Sequence, residues 1–424
     1  MGNVLISQRY SYLNSVIMRR QKSQLNNLVV RLSGTVDWDK LTAALQRVLD
    51  AHDALRTVFY LEGRNVCDRV VPDVGCSFQR VDAGNASIEE FLQTHCEDFD
   101  LKTAPLIRFY HVKANHEHYL VLQLPHINTD GWSLQKIMEH IGCYYAGRET
   151  PKITSFGKYK EAFGNYLASR LFAKDQKYWT AAVRALISES YENEPGKYTP
   201  HTCSVALPGH LKRQLEAYCA LNGYTLFQVM LFAALLLLGM LRRRTTNAIM
   251  FSVHNRAFET FLPGENFNET VGLIVNRLFL SVEIDVNVNV ATYLQQCSEQ
   301  LALVMKHHKY PFEYIVERLP PHERKMLTPA YFNFFQYAPS FPLSDGAAMV
   351  RETIYKEEER LPFCIDVAGI GDSLRTVVAS NGTYPPAAVA QIAADYHYLL
   401  SAVCAGEEMT IDQLFVQMGV AAAN

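Results

Sequence analysis

The stretch Pro125-His126-Ile127-Asn128-Thr129-Asp130-Gly131 puts a histidine, a carboxylate four residues later and a glycine into one short segment. Imidazole has the side-chain pKa nearest neutrality and is the commonest general base, so His126 is a candidate general base. Asp130 can fix the local geometry or answer a nearby cation, and Gly131 lets the chain turn sharply. The pattern equally fits a hydrogen-bonded histidine that closes a strand, and spacing alone leaves both readings open.

Other common chemistries lack their parts. The sequence holds no G-x-S-x-G elbow, no Walker A loop, no G-x-G-x-x-G turn and no H-E-x-x-H helix. His111, His116 and His118 cluster beside a turn without a nearby thiolate, which reads as a solvated hairpin, and no metal site is expected. Nine cysteines without a C-x-x-C pair suggest reduced thiols in a cytoplasmic protein. Forty basic and 43 acidic side chains are scattered without a basic stripe, which argues against nucleic acid. Met1 to Tyr10 lacks the basic-then-apolar order of a secretory signal, and Ile6 stands where a myristoylation signal needs Ser or Thr. The apolar run Leu226–Leu241 is shorter than the ~20 residues a bilayer requires, so it reads as a buried core helix of a soluble protein.

The elements that must position His126 follow from periodicity. Asp37 can cap a helix whose Leu41, Ala44, Leu45, Val48 and Leu49 share a face, after which residues 51–59 turn strand-like. Strands are expected at Leu106–Val112 and Tyr119–Leu124 around a turn at Lys113–Glu117, so His126 follows a strand end. Trp132–Tyr145 reads as a helix with Asp130 and Gly131 at its entrance. Further on come the core helix, strands at Ala248–Val253 and Leu273–Val282, a helix at Val290–Lys306 and an aromatic strand at Tyr331–Tyr337. A length of 424 residues predicts two lobes, and the interleaving predicts a mixed α/β or α+β fold. Polar, broken segments at Ala146–Ser155 and Ser188–His201 are candidate connections, and we divide the chain into lobes 1–180 and 181–424.

Pro125 to Ser133 resembles the HHxxxDGWS signature of nonribosomal peptide synthetase condensation domains, within the superfamily of chloramphenicol acetyltransferase-like acyltransferases. Further segments are similar to family motifs in the family's order. They are Ser7-Gln8-Arg9, His52-Asp53-Ala54-Leu55-Arg56-Thr57-Val58-Phe59, Tyr178-Trp179, Val271-Gly272-Leu273-Ile274-Val275-Asn276, and His307-His308-Lys309-Tyr310-Pro311-Phe312-Glu313. Pro125 departs from the signature's first histidine, a mainly architectural position, and there is neither a DFGWG motif nor aspartates in place of the signature histidines.

The resemblance implies two chloramphenicol acetyltransferase-like lobes forming a V-shaped pseudo-dimer with a central tunnel. His126 matches the catalytic histidine, and Gly131 would offer a backbone N–H to the oxyanion. Asp130 matches a structural aspartate, with Arg256 in Ser252-Val253-His254-Asn255-Arg256 at its partner's position. Asn276, Trp132 and Ser133 are candidate tunnel residues: Asn276 fits a structural amide equally well, and Trp132 and Ser133 are read as packing and capping the helix. His307 and His308 belong to a segment that resembles a packing and lobe-contact motif. The implied activity is an acyltransferase that joins a thioester donor to a small-molecule amine or alcohol, giving an amide or ester in nonribosomal peptide or hybrid polyketide biosynthesis. With no carrier or adenylation motif in the chain, the phosphopantetheine arm belongs to an acyl or peptidyl carrier protein, a neighbouring domain or coenzyme A, and no bound cofactor is expected. A coenzyme-A-dependent O- or N-acyltransferase, an epimerisation domain and an inactive recruitment domain are the alternatives.

Overall fold

The computed structural model describes residues 4–17, 25–95, 97–188, 199–326, 330–344, 346–351, 361–405 and 408–419. Most of the connection expected at Ser188–His201 lies outside them. The strands, in chain order, are β1 (Leu25–Ser33), β2 (Thr57–Glu62), β3 (Asn65–Val70), β4 (Phe78–Asp82), β5 (Arg108–Ala114), β6 (Glu117–Pro125) and β7 (His201–Ala206). They continue as β8 (Thr246–Val253), β9 (Asn276–Glu283), β10 (Ala330–Tyr337), β11 (Ser340–Pro342), β12 (Ala348–Arg351), β13 (Cys364–Ile370) and β14 (Ser373–Ser380).

The chain divides into two compact units: Met1–Phe172 with His254–Val275 and Ala338–Tyr355, and Ala173–Val253 with Asn276–Tyr337 and Lys356–Asn424. A linear division at 180/181 has no place for the segments that return to the first unit. His254–Val275 carries Arg256, and Ala338–Tyr355 supplies two strands to the first unit's sheet. Among the described residues each unit holds one six-stranded sheet, ordered β11-β12-β1-β6-β5-β4 in the first and β7-β14-β13-β10-β8-β9 in the second. Both mix parallel and antiparallel pairs: β4 runs parallel to β5, and β10 runs parallel to β8 and β13. The fold is therefore mixed α/β.

Local chemistry accounts for the elements nearest the motif. Asp37 accepts from the N–H groups of Asp39 and Lys40 and starts the helix Trp38–Ala51, whose buried residues are Leu41, Ala44, Leu45, Val48 and Leu49. That helix packs beside the helix Gly131–Tyr145. β5 and β6 form a hairpin whose turn places Asn115 and His116 at φ 48° and 67°. β1 pairs antiparallel with β6 in a register that sets Leu25 opposite Pro125 and Asn26 opposite Leu124, so the start of β1 lies beside the residues that leave β6.

In the second unit the apolar run forms the helix Leu226–Arg242, started by Thr225 and Gln228 in a reciprocal capping pair and buried from Val229 to Met240. No single helix among the described residues is long and apolar enough to cross a membrane.

Two expected strands begin late. Residues 53–56 form a 3-10 turn before β2. β9 begins at Asn276 rather than Leu273, because the N–H groups of Ile274 and Val275 go to the carboxylate of Asp130 instead of a neighbouring strand.

Candidate active site

β6 ends at Pro125, and residues His126–Asn128 make one 3-10 turn before Thr129 returns to an extended backbone. Side chains from distant parts of the first unit hold this turn. Gln8, fully buried, donates to the carbonyl of Ile127 at 3.1 Å, and Asn128 donates to the carbonyl of Thr57 at 3.2 Å. His126 is partly exposed, and its Nδ1 lies 2.5 Å from the carbonyl oxygen of Thr129. A carbonyl only accepts, so Nδ1 carries the proton and the neutral ring has its lone pair on Nε2.

Asp130 and Gly131 start the next helix. Asp130 caps it by accepting from the Ser133 N–H at 2.8 Å. Gly131 is the first helical residue, and an N–H in that position has no partner within the helix. Asp130 is 1% exposed and Arg256 0%. The guanidinium donates from Nη2 to Oδ1 at 3.0 Å and from Nη1 to Oδ2 at 3.2 Å, a two-pronged pair. Oδ2 also accepts from Ile274 N–H at 3.0 Å and Val275 N–H at 2.9 Å. The remaining guanidinium donors reach the carbonyls of His254 and Thr270. Burial pushes the Asp130 carboxyl up, but the charge and hydrogen bonds of Arg256, with those of Ser133, outweigh it and hold the group below its ordinary range.

Ser133 completes this network. Its hydroxyl lies 2.8 Å from Asp130 Oδ1 and 2.9 Å from the carbonyl of Gly272, and it accepts from the Gly272 N–H at 3.0 Å and Arg256 Nη2 at 3.1 Å. Full burial and four polar neighbours leave it as a brace between helix and loop. Gly272 fits only because it lacks a side chain: a Cβ there would stand 2.3 Å from the Phe156 ring. Trp132 is 37% exposed, stacks on His254 with centroids 4.9 Å apart, and donates its indole N–H to the carbonyl of Asn268 at 2.8 Å.

In the second unit Asn276 is 5% exposed, and both ends of its amide are engaged. The nitrogen donates to the carbonyls of His308 and Tyr310, each at 2.8 Å, and the oxygen accepts from Arg277 N–H at 2.9 Å and Phe312 N–H at 3.2 Å. This is the structural-amide arrangement. His307 is held by Asp175 at 2.7 Å, stacks on Tyr178 at 4.1 Å, and its carbonyl accepts from the Trp179 indole at 2.9 Å. Among the described residues no group of histidine, cysteine and acidic side chains is arranged to hold a metal.

The family model described as the condensation domain matches residues 4–417. The chain belongs to the condensation-domain family. It is similar to tyrocidine synthase 3 of Brevibacillus parabrevis, 29% identical over 301 residues that make up 69% of this chain and 4% of that protein. The chain therefore spans a small fraction of that relative's length. Solved structures share the fold: the condensation domain of the monacolin K polyketide synthase has a TM-score of 0.81 at 16% identity, covering 96% of this chain and 98% of that one. The starter condensation domain of rhizomide synthetase in complex with C8-CoA has a TM-score of 0.77 at 16% identity, covering 96% and 95%. Condensation domains are in general acyltransferases that work with carrier domains.

In this condensation domain the motif-like segments of each unit are physical neighbours. Gln8, Thr57 and the segment 271–275 all bond to residues 127–133, while Tyr178-Trp179, Asn276 and residues 307–312 lock together in the second unit. Sequence reading missed Asn26, Thr129, Thr270 and Gly272 as parts of the site's support. Thr129 and Gly272 lie inside segments similar to family motifs and are legible there as positions, whereas Asn26 and Thr270 carry no local signal. It also missed a buried chain of side chains. His52 Nε2 meets His140 Nδ1 at 2.9 Å, and His140 Nε2 meets Glu269 at 2.9 Å.

Proposed function

We propose that this domain transfers an acyl group from a phosphopantetheine thioester on a carrier protein to an amine or hydroxyl nucleophile, with His126 as the base. The observation that carries this reading is the 2.5 Å contact between His126 Nδ1 and the Thr129 carbonyl, which leaves the basic lone pair on Nε2 of a partly exposed residue. The nucleophile's nitrogen or oxygen bonds to the thioester carbon while its proton passes to Nε2. The carbonyl oxygen takes up the charge, where the Gly131 N–H at the helix start is the candidate donor. Collapse breaks the carbon–sulfur bond, the imidazolium returns the proton to the sulfur, and amide or ester leaves with free thiol. Asp130 and Arg256 stay out of the chemistry and hold the turn between His126 and the helix.

The test is intact-mass analysis of a set of acyl-carrier proteins incubated with the domain and a panel of amines and alcohols. Loss of the acyl mass from one carrier with appearance of one amide or ester is the expected result. His126→Ala should lower that transfer by about a hundredfold or more with the fold intact, the usual size of general-base assistance. Turnover near wild type in that variant would remove His126 from the mechanism.

A second donor, coenzyme A, draws support from the C8-CoA in the rhizomide synthetase relative. It would require cations for the nucleotide phosphates, and Arg242, Arg243 and Arg244 are a candidate set. Those arginines end a helix, where cations are favoured by the dipole alone. We expect transfer from the carrier to survive their replacement by glutamine and the acyl-coenzyme A to be a poor donor.

A further inference from the structure

The geometry points to Asn26 as a positioning residue that fixes the His126 tautomer by anchoring Thr129, an inference that rests on the assignment of His126 as the base. Asn26 lies on β1, 100 residues from His126 in sequence. The register of β1 on β6 sets it opposite Leu124, two positions before the histidine. Its Nδ2 stands 3.3 Å from Thr129 Oγ1, 3.5 Å from the Thr129 carbonyl oxygen and 3.4 Å from His126 Nδ1.

An amide nitrogen carries two hydrogens and accepts nothing. His126 Nδ1 already directs its own hydrogen at the Thr129 carbonyl, at 2.5 Å, so it offers the amide no lone pair. The two Asn26 hydrogens therefore go to the hydroxyl and carbonyl oxygens of Thr129. The Thr129 hydroxyl can accept there because its own hydrogen is directed to the carbonyl of Pro125 at 3.4 Å. Asn26 thus ties Thr129 to the sheet and presents the carbonyl that holds the His126 proton.

The neighbouring alternative is chemically opposite. If Thr129 swung away, the same amide would donate to Nδ1, the ring proton would move to Nε2, and the nitrogen needed as a base would lose its lone pair. Asn26 is a fork whose choice of partner sets which nitrogen is basic.

The experiment uses the whole domain with 15N-labelled histidine rings, with the His126 signals assigned by their loss in His126→Ala. Wild type should show a protonated Nδ1 and an unprotonated Nε2 above the ring's titration. In Asn26→Leu, which removes the donor at similar size, the two nitrogens should average between tautomers. With the carrier and acceptor pair identified by intact mass, kcat should fall about tenfold with KM within about twofold, part of the general-base contribution. In Asn26→Asp the donor becomes a carboxylate beside the ring, and the His126 titration midpoint should move upward. Tautomers that mix while turnover stays at the wild-type level would support the positioning role and remove His126 from catalysis. An unchanged tautomer in Asn26→Leu overturns the proposal whatever the turnover; if that variant does not fold, an unmoved midpoint in Asn26→Asp does the same.

Discussion

In the first unit, the Asp130 carboxylate gathers the guanidinium of Arg256, the N–H groups of Ile274 and Val275 and the start of its own helix. In the second, the Asn276 amide gathers the carbonyls of His308 and Tyr310 and the N–H groups of Arg277 and Phe312. Both fasten a loop to a regular element, and both sit in segments similar to family motifs. They differ in charge. A buried ion pair gives two-pronged, directional bonding, but removal of one partner strands the other in a medium that cannot solvate it. A neutral amide is more forgiving, because the groups it leaves behind are uncharged single peptide donors and acceptors, two of them in bonds that are only partly buried. The carboxylate clasp stands beside the candidate base, where a fixed turn matters most, and the amide clasp holds a packing segment.

The largest effect expected from this comparison is on stability. Asp130→Ala leaves the Arg256 guanidinium buried with carbonyl partners but no counter-charge, and should cost about 3 to 5 kcal/mol in denaturant unfolding. A loss below ~1 kcal/mol would show that the guanidinium finds water or another anion, and the contrast between the clasps would collapse.

An intermediate effect comes from pH, since the first unit buries groups that titrate. His140 Nε2–H donates to Glu269, so its Nδ1 holds a lone pair and accepts from His52 Nε2–H. Burial, with the adjacent His140, pulls His52 from its ordinary 6.5 down to about 3. Burial also lowers His140, against the opposing pull of Glu269. A depressed value means that the unfolded chain takes up the proton first as pH falls. The contribution is whole above 6.5 and is lost on the way down to about 3. Asp130, held below its ordinary value, contributes in the same direction but only at lower pH. Thermal unfolding followed from pH 7 to roughly 5, above the ordinary values of Asp and Glu, should show a falling melting temperature, with a shallower slope in His52→Gln. Equal slopes would mean that the buried rings are not the titrating groups.

These effects also mark what the sequence could and could not show. Periodicity placed the Trp38–Ala51 helix and its buried face because helix burial repeats locally, and it placed His126 at a strand end because β6 stops at a proline. It extended β9 back to Leu273 because an apolar run looks like a strand, whereas the destination of two N–H groups is set by a carboxylate 144 and 145 residues away. Asn26 and the His52–His140–Glu269 chain were invisible for a related reason: strand register and helix packing bring them together, and no spacing rule encodes either. A single cut at 180/181 could not anticipate that 254–275 returns to the first unit, since returning segments leave no mark in composition.

The smallest effect is expected at Asn276. Replacement by alanine removes four hydrogen bonds at once, two donated and two accepted. The carbonyls of His308 and Tyr310 and the N–H groups of Arg277 and Phe312 then seek new partners. Two of these four bonds are only partly buried, so water can replace part of what is lost. The other ties of the segment remain: Asp175 and Tyr178 on His307, and the Arg277–Glu313 pair at 2.6 Å. The expected cost is therefore about 1 to 3 kcal/mol, the range for buried groups left unsatisfied. It should also be the same at pH 7 and pH 5, because an amide does not titrate. That flatness is the sharper half of the test. If Asn276→Ala lost as much stability as Asp130→Ala, or lost it in a pH-dependent way, the loop at 306–312 would depend on charge, and the division between a charged clasp and a neutral one would fail.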